Sequence, residues 1–115
     1  MSLETSLYAA LAAVCPRVFP DVADTSTVRP YVTYQQVGGD VINPLSNGSP
    51  GRRNASVQIN VWANTRLQAN SLSLQIEDAM RAATAFIAQP QSASFSDYDY
   101  DMSVYGSQQD FSVWY

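Results

Sequence analysis

The stretch Ala55–Ala63 constrains this chain more than any other. Ala55, Val57, Ile59, Val61 and Ala63 alternate with Ser56, Gln58, Asn60 and Trp62. A period of two sends the first set to one face of a β-strand and the second set to the other. One face must therefore be buried, while the other is mostly amide and hydroxyl with a single large ring. Whatever this chain builds, it contains a sheet with one covered and one polar side.

Helical patterns supply the cover. Leu3, Leu7, Ala10, Leu11 and Val14 recur at helical spacing and make one apolar stripe. Ser2 is the expected N-cap and Glu4 complements the helix dipole. Pro16 ends the run. A second helix is expected from the N-cap Thr65 to about Phe86, with Ala69, Leu72, Ile76, Ala79, Met80 and Ala83 on its apolar face. Leu67 and Leu74 fall off that stripe and leave apolar surface for another contact.

Three further strand-like runs accompany the first. Tyr31–Val37 is rich in β-branched and aromatic residues, preceded by Pro30 and closed by Gly38-Gly39. Tyr98, Tyr100, Met102 and Val104 alternate with aspartates and Ser103. After a turn expected near Gly106, Phe111, Val113 and Tyr115 alternate with Ser112 and Trp114. Arg17–Pro20 reads as a short extended piece. The order is helix, strand, strand, helix, strand, strand. It predicts a single α+β domain over 1–115: a largely antiparallel four-stranded sheet with two helices on one face. The segment 38–54, rich in Gly, Pro, Asn and Ser, is too long for a tight turn, and we expect a flexible, functional loop there.

Composition narrows the function classes. The 115 residues carry ten carboxylates, six arginines, no lysine and no histidine, for a formal charge of −4. A general phosphate binder draws on clustered cations, so sequence-specific nucleic-acid binding is not expected. Missing histidine removes the commonest general base and metal ligand. One cysteine, Cys15, allows no intrachain disulfide and reads as a small buried hydrophobe. No apolar run approaches the ~20 residues of a membrane span. Met1-Ser2-Leu3-Glu4 lacks the basic flank of a signal peptide, which predicts synthesis in the cytoplasm.

Two motifs invite chemistry. Asp97-x-Asp99-x-Asp101 has the opening spacing of a calcium loop, but Met102 stands at the required glycine and Asp110 is wrongly spaced for the closing glutamate. We expect instead a strand with aspartates toward solvent and Tyr98 and Tyr100 inward; such charges also discourage edge pairing. Arg52-Arg53, the only adjacent basic pair, closes the long loop. It reads either as solvated loop ends or as a docking element that meets acidic groups on a neighbouring subunit. No catalytic residue, cofactor or metal site is expected.

Taken in order, the segments resemble one family. Arg17-Val18-Phe19-Pro20-Asp21-Val22-Ala23 is similar to a basic-valine-aromatic-proline turn, and Pro30–Gln35 to a proline-tyrosine strand. Ala55–Ala63 is like the family's second strand, Ala69–Ala83 like its helix, and Asp110–Tyr115 like its end. The family is the tail-completion, or tail-terminator, proteins of long-tailed phages and prophages, a gp17-like group of small virion proteins. The match covers nearly the whole chain except the loop 38–54.

The resemblance implies a non-enzymatic virion part, made in the bacterial host cytoplasm and located at the head–tail junction. It would cap the tail tube as a ring, commonly of six, and form the tail-side surface for joining the head. Its partners would be copies of itself, the major tail tube protein and the head connector or stopper protein, with no membrane. Ring contacts are heterologous, so two different patches must match. The interface candidates are Val41, Ile42, Leu45, Arg52 and Arg53 of the loop, with Trp62, Leu67 and Leu74. Two alternatives stand beside this reading: another head–tail connector component, or a small α+β ligand-binding domain, which a deep apolar pocket with convergent polar groups would favour.

Overall fold

Three leucines anchor the first layer. In the computed structural model, which describes residues 3–23, 27–41, 52–100 and 103–115, helix α1 (Leu3–Ala12) buries Leu3, Leu7 and Leu11 along one side. Val14 and Cys15 donate their amides back to Leu11 O at 3.0 and 2.9 Å, a last tight turn before Pro16. Cys15 is buried, as expected, among the same side chains. The Ser2 cap lies outside the described residues.

The strands are β1 (Val18–Pro20), β2 (Tyr31–Gln36), β3 (Asn54–Ala63), β4 (Ile87–Pro90), β5 (Phe95–Asp99) and β6 (Val104–Trp114). Their order is β1-β2-β3-β6-β4, and β5 pairs with the other end of β6. Only β1 and β2 run parallel. Helix α2 (Arg66–Ala82) crosses β3, β6 and β4, with α1 beside it. Thr65 caps α2 as expected, its hydroxyl accepting from Gln68 N at 3.1 Å.

The core lies between the helices and one sheet face. Val32, Val57, Ile59, Val61, Phe111 and Val113 from the sheet meet Leu7, Leu11, Ile76 and Met80 from the helices. Each such side chain contributes roughly 1.5–3 kcal/mol on full burial. The alternation of β3 is realised along its whole length, every second residue being buried.

The α+β class and the single helical layer agree with the sequence; among the described residues the sheet has six strands rather than four. The short piece at 18–20 is a paired strand. The second helix ends at Ala82, short of the expected Phe86, and a further strand, β4, follows where no strand was expected. Ala82, Ala83 and Ala85 continue a helical pattern, but Ala83 is extended (φ −62°, ψ 138°). That break lets Phe86 turn into the core and Ala88 pair with Val113. The turn expected near Gly106 is also displaced. Gly106 sits inside β6, opposite Trp62. A Cβ on it would lie 2.8 Å from the Trp62 ring, so only glycine admits the indole. β5 ends at Asp99 and its antiparallel partner β6 begins at Val104, after Ser103 at φ 52°.

Candidate interaction surface

Both helices lie on one side, and among the described residues no layer covers the other face of the sheet. Register assigns its residues: Tyr31, Thr33 and Gln35 on β2, Gln58, Asn60 and Trp62 on β3, Gln108, Asp110, Ser112 and Trp114 on β6. Its centre is amide and hydroxyl. Both tryptophans of the chain stand on it, half-buried, one at each end. Near the middle, Asp110 Oδ1 is shut from solvent and has no hydrogen-bond partner among the described residues.

At the end where β3 finishes, Asp21, Tyr31, Thr33, Asn60, Trp62 and Asp99 line an open cleft of about 310 Å³. Asp21 is held there by its left-handed backbone (φ 63°), with its amide donating to Tyr34 O at 2.8 Å. Asp97 and Asp99 point to the open face, as expected of solvent-facing aspartates. Asp101 and Met102 lie outside the described residues. Tyr98 turns to the helix side and packs against Tyr105, the tilted rings 4.8 Å apart between centres. Tyr100, expected inward, is instead 85% exposed, because the strand has already ended at Asp99. Burial pushes the Tyr31 phenol above its ordinary pKa; Arg29 opposes that shift and Asp99 adds to it.

At the opposite end, Asp40, Val41, Arg52, Arg53 and Tyr115 border a hollow of about 250 Å³. Arg53 exchanges backbone hydrogen bonds with Tyr115 at 2.8 and 2.9 Å, which carries the β3–β6 ladder past both strands. Gly39 makes the closing approach possible: at φ 146°, a Cβ there would lie 2.8 Å from Ala55 Cα. Asn54 ties the ends together, accepting from Asp40 N at 2.9 Å and donating to Ser112 Oγ at 3.0 Å. Arg52 also borders Ile87 and Trp114. Both arginines are exposed, and neither guanidinium makes an ion pair or hydrogen bond with a described residue.

The expected interface residues thus divide among three places. Val41, Arg52 and Arg53 share one end. Trp62 is on the open face at the other end. Leu67 and Leu74, 83% and 64% exposed, lie on the outer side of α2 in the helix layer. Ile42 and Leu45 fall outside the described residues. Sequence reasoning missed Asp21, Tyr31 and Asp99 as partners of Trp62, because four separate segments form that cleft. Trp114 could have been found: it occupies the polar phase of its strand, as Trp62 does in its own.

The arrangement offers little to catalysis. The chain has no histidine or lysine, and among the described residues no group of three His, Cys, Asp or Glu is placed to hold a metal. An apolar groove of about 350 Å³ between α1 and α2 is lined chiefly by alanine methyls and lacks convergent polar groups. No helix among the described residues is long and apolar enough to cross a membrane.

Comparison with known proteins finds a family model and a set of solved structures that match. A family model described as Tail completion protein gp17 matches residues 5–115. Among solved structures, the chain is similar to one in the virion of a native gene transfer agent (GTA) particle, with TM-score 0.66 and 15% identity. The match covers 97% of this chain and 92% of that one; at such identity it concerns the fold. No curated protein matches.

Proposed function

The chain belongs to the tail completion protein gp17 family, and from that membership we propose that it caps the finished tube of a phage tail as a ring and presents the tail-side surface to the head. It is a structural protein of the virion tail; the ring, six-fold in this reading, and its role as cap are our inference. The observation that carries it is the uncovered sheet face, with an aromatic group and unlike charges at its two ends. Tryptophan, tyrosine and arginine are the residues in which interface energy concentrates. A ring needs two different matching patches per subunit, and a long face with dissimilar ends supplies them.

No covalent chemistry enters the mechanism. Each subunit would add to the last layer of tube protein, bind its neighbours side to side, and close. The closed ring blocks further tube subunits and offers the head connector a new face. The exposed Arg52–Arg53 pair is one of the two ring contacts in this reading.

Electron microscopy of tails assembled with and without the protein tests the proposal. Overlong or ragged tubes in its absence are the expected result. Tubes of normal length that fail to join heads would replace the capping role by a joining one. The Arg52→Glu, Arg53→Glu variant should fold yet fail to attach.

A further inference from the structure

We propose that the cleft of Asp21, Tyr31, Trp62 and Asp99 seats the Arg52–Arg53 end of a second copy of this chain. The inference rests on the ring reading above and names the receiving half of the contact. Its first support is distance. Arg53 precedes β3 and Trp62 nearly ends it, and ten residues of strand at ~3.3 Å each place the two ends roughly 30 Å apart. No arginine of this pair can reach the cleft of its own molecule. A second molecule can fill it.

The chemistry of the two ends is complementary. Asp21 and Asp99 border a cleft walled by an indole and a phenol. A guanidinium is planar, always charged and weakly hydrated, so it stacks on an aromatic face while pairing with carboxylates at its edge. The chain supplies such a group at the other end twice over, with both side chains exposed. Around the arginines, Trp114, Ile87 and Tyr115 give apolar area that a polar rim would enclose. Each end has a local opposite charge already in place. Arg29 lies near the cleft, where it donates to Asn64 Oδ1 and Ser103 O at 3.5 and 3.4 Å and its charge also acts on the Tyr31 phenol. Asp40 lines the hollow with the arginines but forms no ion pair with them. The contact is head-to-tail by construction, because donor and acceptor are different parts of one subunit.

Charge exchange tests the pairing. Purified full-length chain is added to tails made without it, and attached rings are counted by electron microscopy. One variant carries Arg52→Glu and Arg53→Glu. The other carries Asp21→Asn and Asp99→Arg; asparagine at 21 suits the left-handed backbone there. Each variant alone should attach at least about tenfold less than wild type. The equimolar mixture should recover, since each reversed end then meets its reversed counterpart in an alternating ring. Recovery also shows that both variants fold. If either melts below wild type, the milder pair Arg53→Glu and Asp99→Arg replaces it. Single variants that attach like wild type, or a mixture no better than its folded components, would overturn the pairing and leave the cap reading standing. Wild-type protein that never attaches to tails would instead overturn the cap reading, and this contact with it.

Discussion

Gly106 and Trp62 face each other across β3 and β6, and the pair shows how one residue fixes another. A strand glycine normally costs roughly 0.5–1 kcal/mol against alanine, so replacing it should stabilise. Here a Cβ would stand 2.8 and 3.1 Å from two ring carbons of the indole. Gly106→Val should therefore destabilise by about 1–3 kcal/mol, the range for overpacking. In the Trp62→Ala background most of that loss should vanish, which thermal melts of the four proteins would measure as a double-mutant cycle. An unchanged melting temperature for Gly106→Val alone would mean that the ring swings aside freely. Tyrosines 31 and 34 give a second prediction. Burial raises both phenol pKa values, with Glu4, Asp21 and Tyr8 adding to the shift at Tyr34. Since the folded pKa exceeds the unfolded value, the folded state holds its phenolic protons longer. Their stability contribution is complete below about pH 10 and is lost as pH rises through the folded values. Absorbance titration should show late-ionising tyrosines among the seven, and Tyr34→Phe should flatten the alkaline fall in melting temperature.

At the scale of elements, Arg66 joins the start of α2 to the β5–β6 hairpin. Its guanidinium donates to Gly106 O at 2.6 Å and to Asp97 O at 2.7 Å, and it lies 5.3 Å from the Tyr105 ring centre. Arg66→Ala should speed amide hydrogen exchange in β5 selectively, while β2 and β3 keep their protection; Arg66→Lys should restore little, because one ammonium cannot reproduce the fork. Uniformly faster exchange would assign Arg66 a global role instead. The same hairpin explains what the sequence could and could not reveal. β3 was legible because each inward residue is apolar. β6 was legible only from Phe111 on, because Ser107 and Gln109 occupy inward positions and break the alternation before it. Gln109 is tolerated there only through its bonds to Glu77 Oε1 at 2.8 Å and Ser92 O at 2.9 Å, partners remote in sequence. β4 was hidden because it is four residues long and ends on Pro90, which reads as a loop. The two helices and the loop arginines were readable locally, whereas the acidic cleft exists only after β1, β2, β3 and β5 have taken their places.

Across the whole molecule, the forces that hold the fold differ from those assigned to assembly. The chain measures 52 × 25 × 24 Å, an elongated body whose long sheet ends in unlike charges. Its interior is mostly apolar, with a few buried hydroxyls and one buried amide side chain among the described residues. An ion pair joins Arg81 Nε to Glu77 Oε2 at 3.5 Å, a partly exposed contact one helical turn apart. Such a pair is worth at most about 0.5 kcal/mol, and screening it changes little. The proposed contact between copies is charged and lies at the surface, where salt acts strongly: the screening length falls from ~10 Å at 0.1 M to ~3 Å at 1 M. Raising salt from 0.1 to 1 M with a chloride salt should therefore leave the melting temperature of the isolated chain within a few degrees while sharply reducing attachment to tails. Calorimetry and counts of capped tails over one salt series would measure both. If the two fell together, ion pairs would be supporting the fold itself. If neither changed, apolar contacts such as Trp114, Ile87 and the exposed Leu67 and Leu74 would have to carry the assembly without help from the arginines.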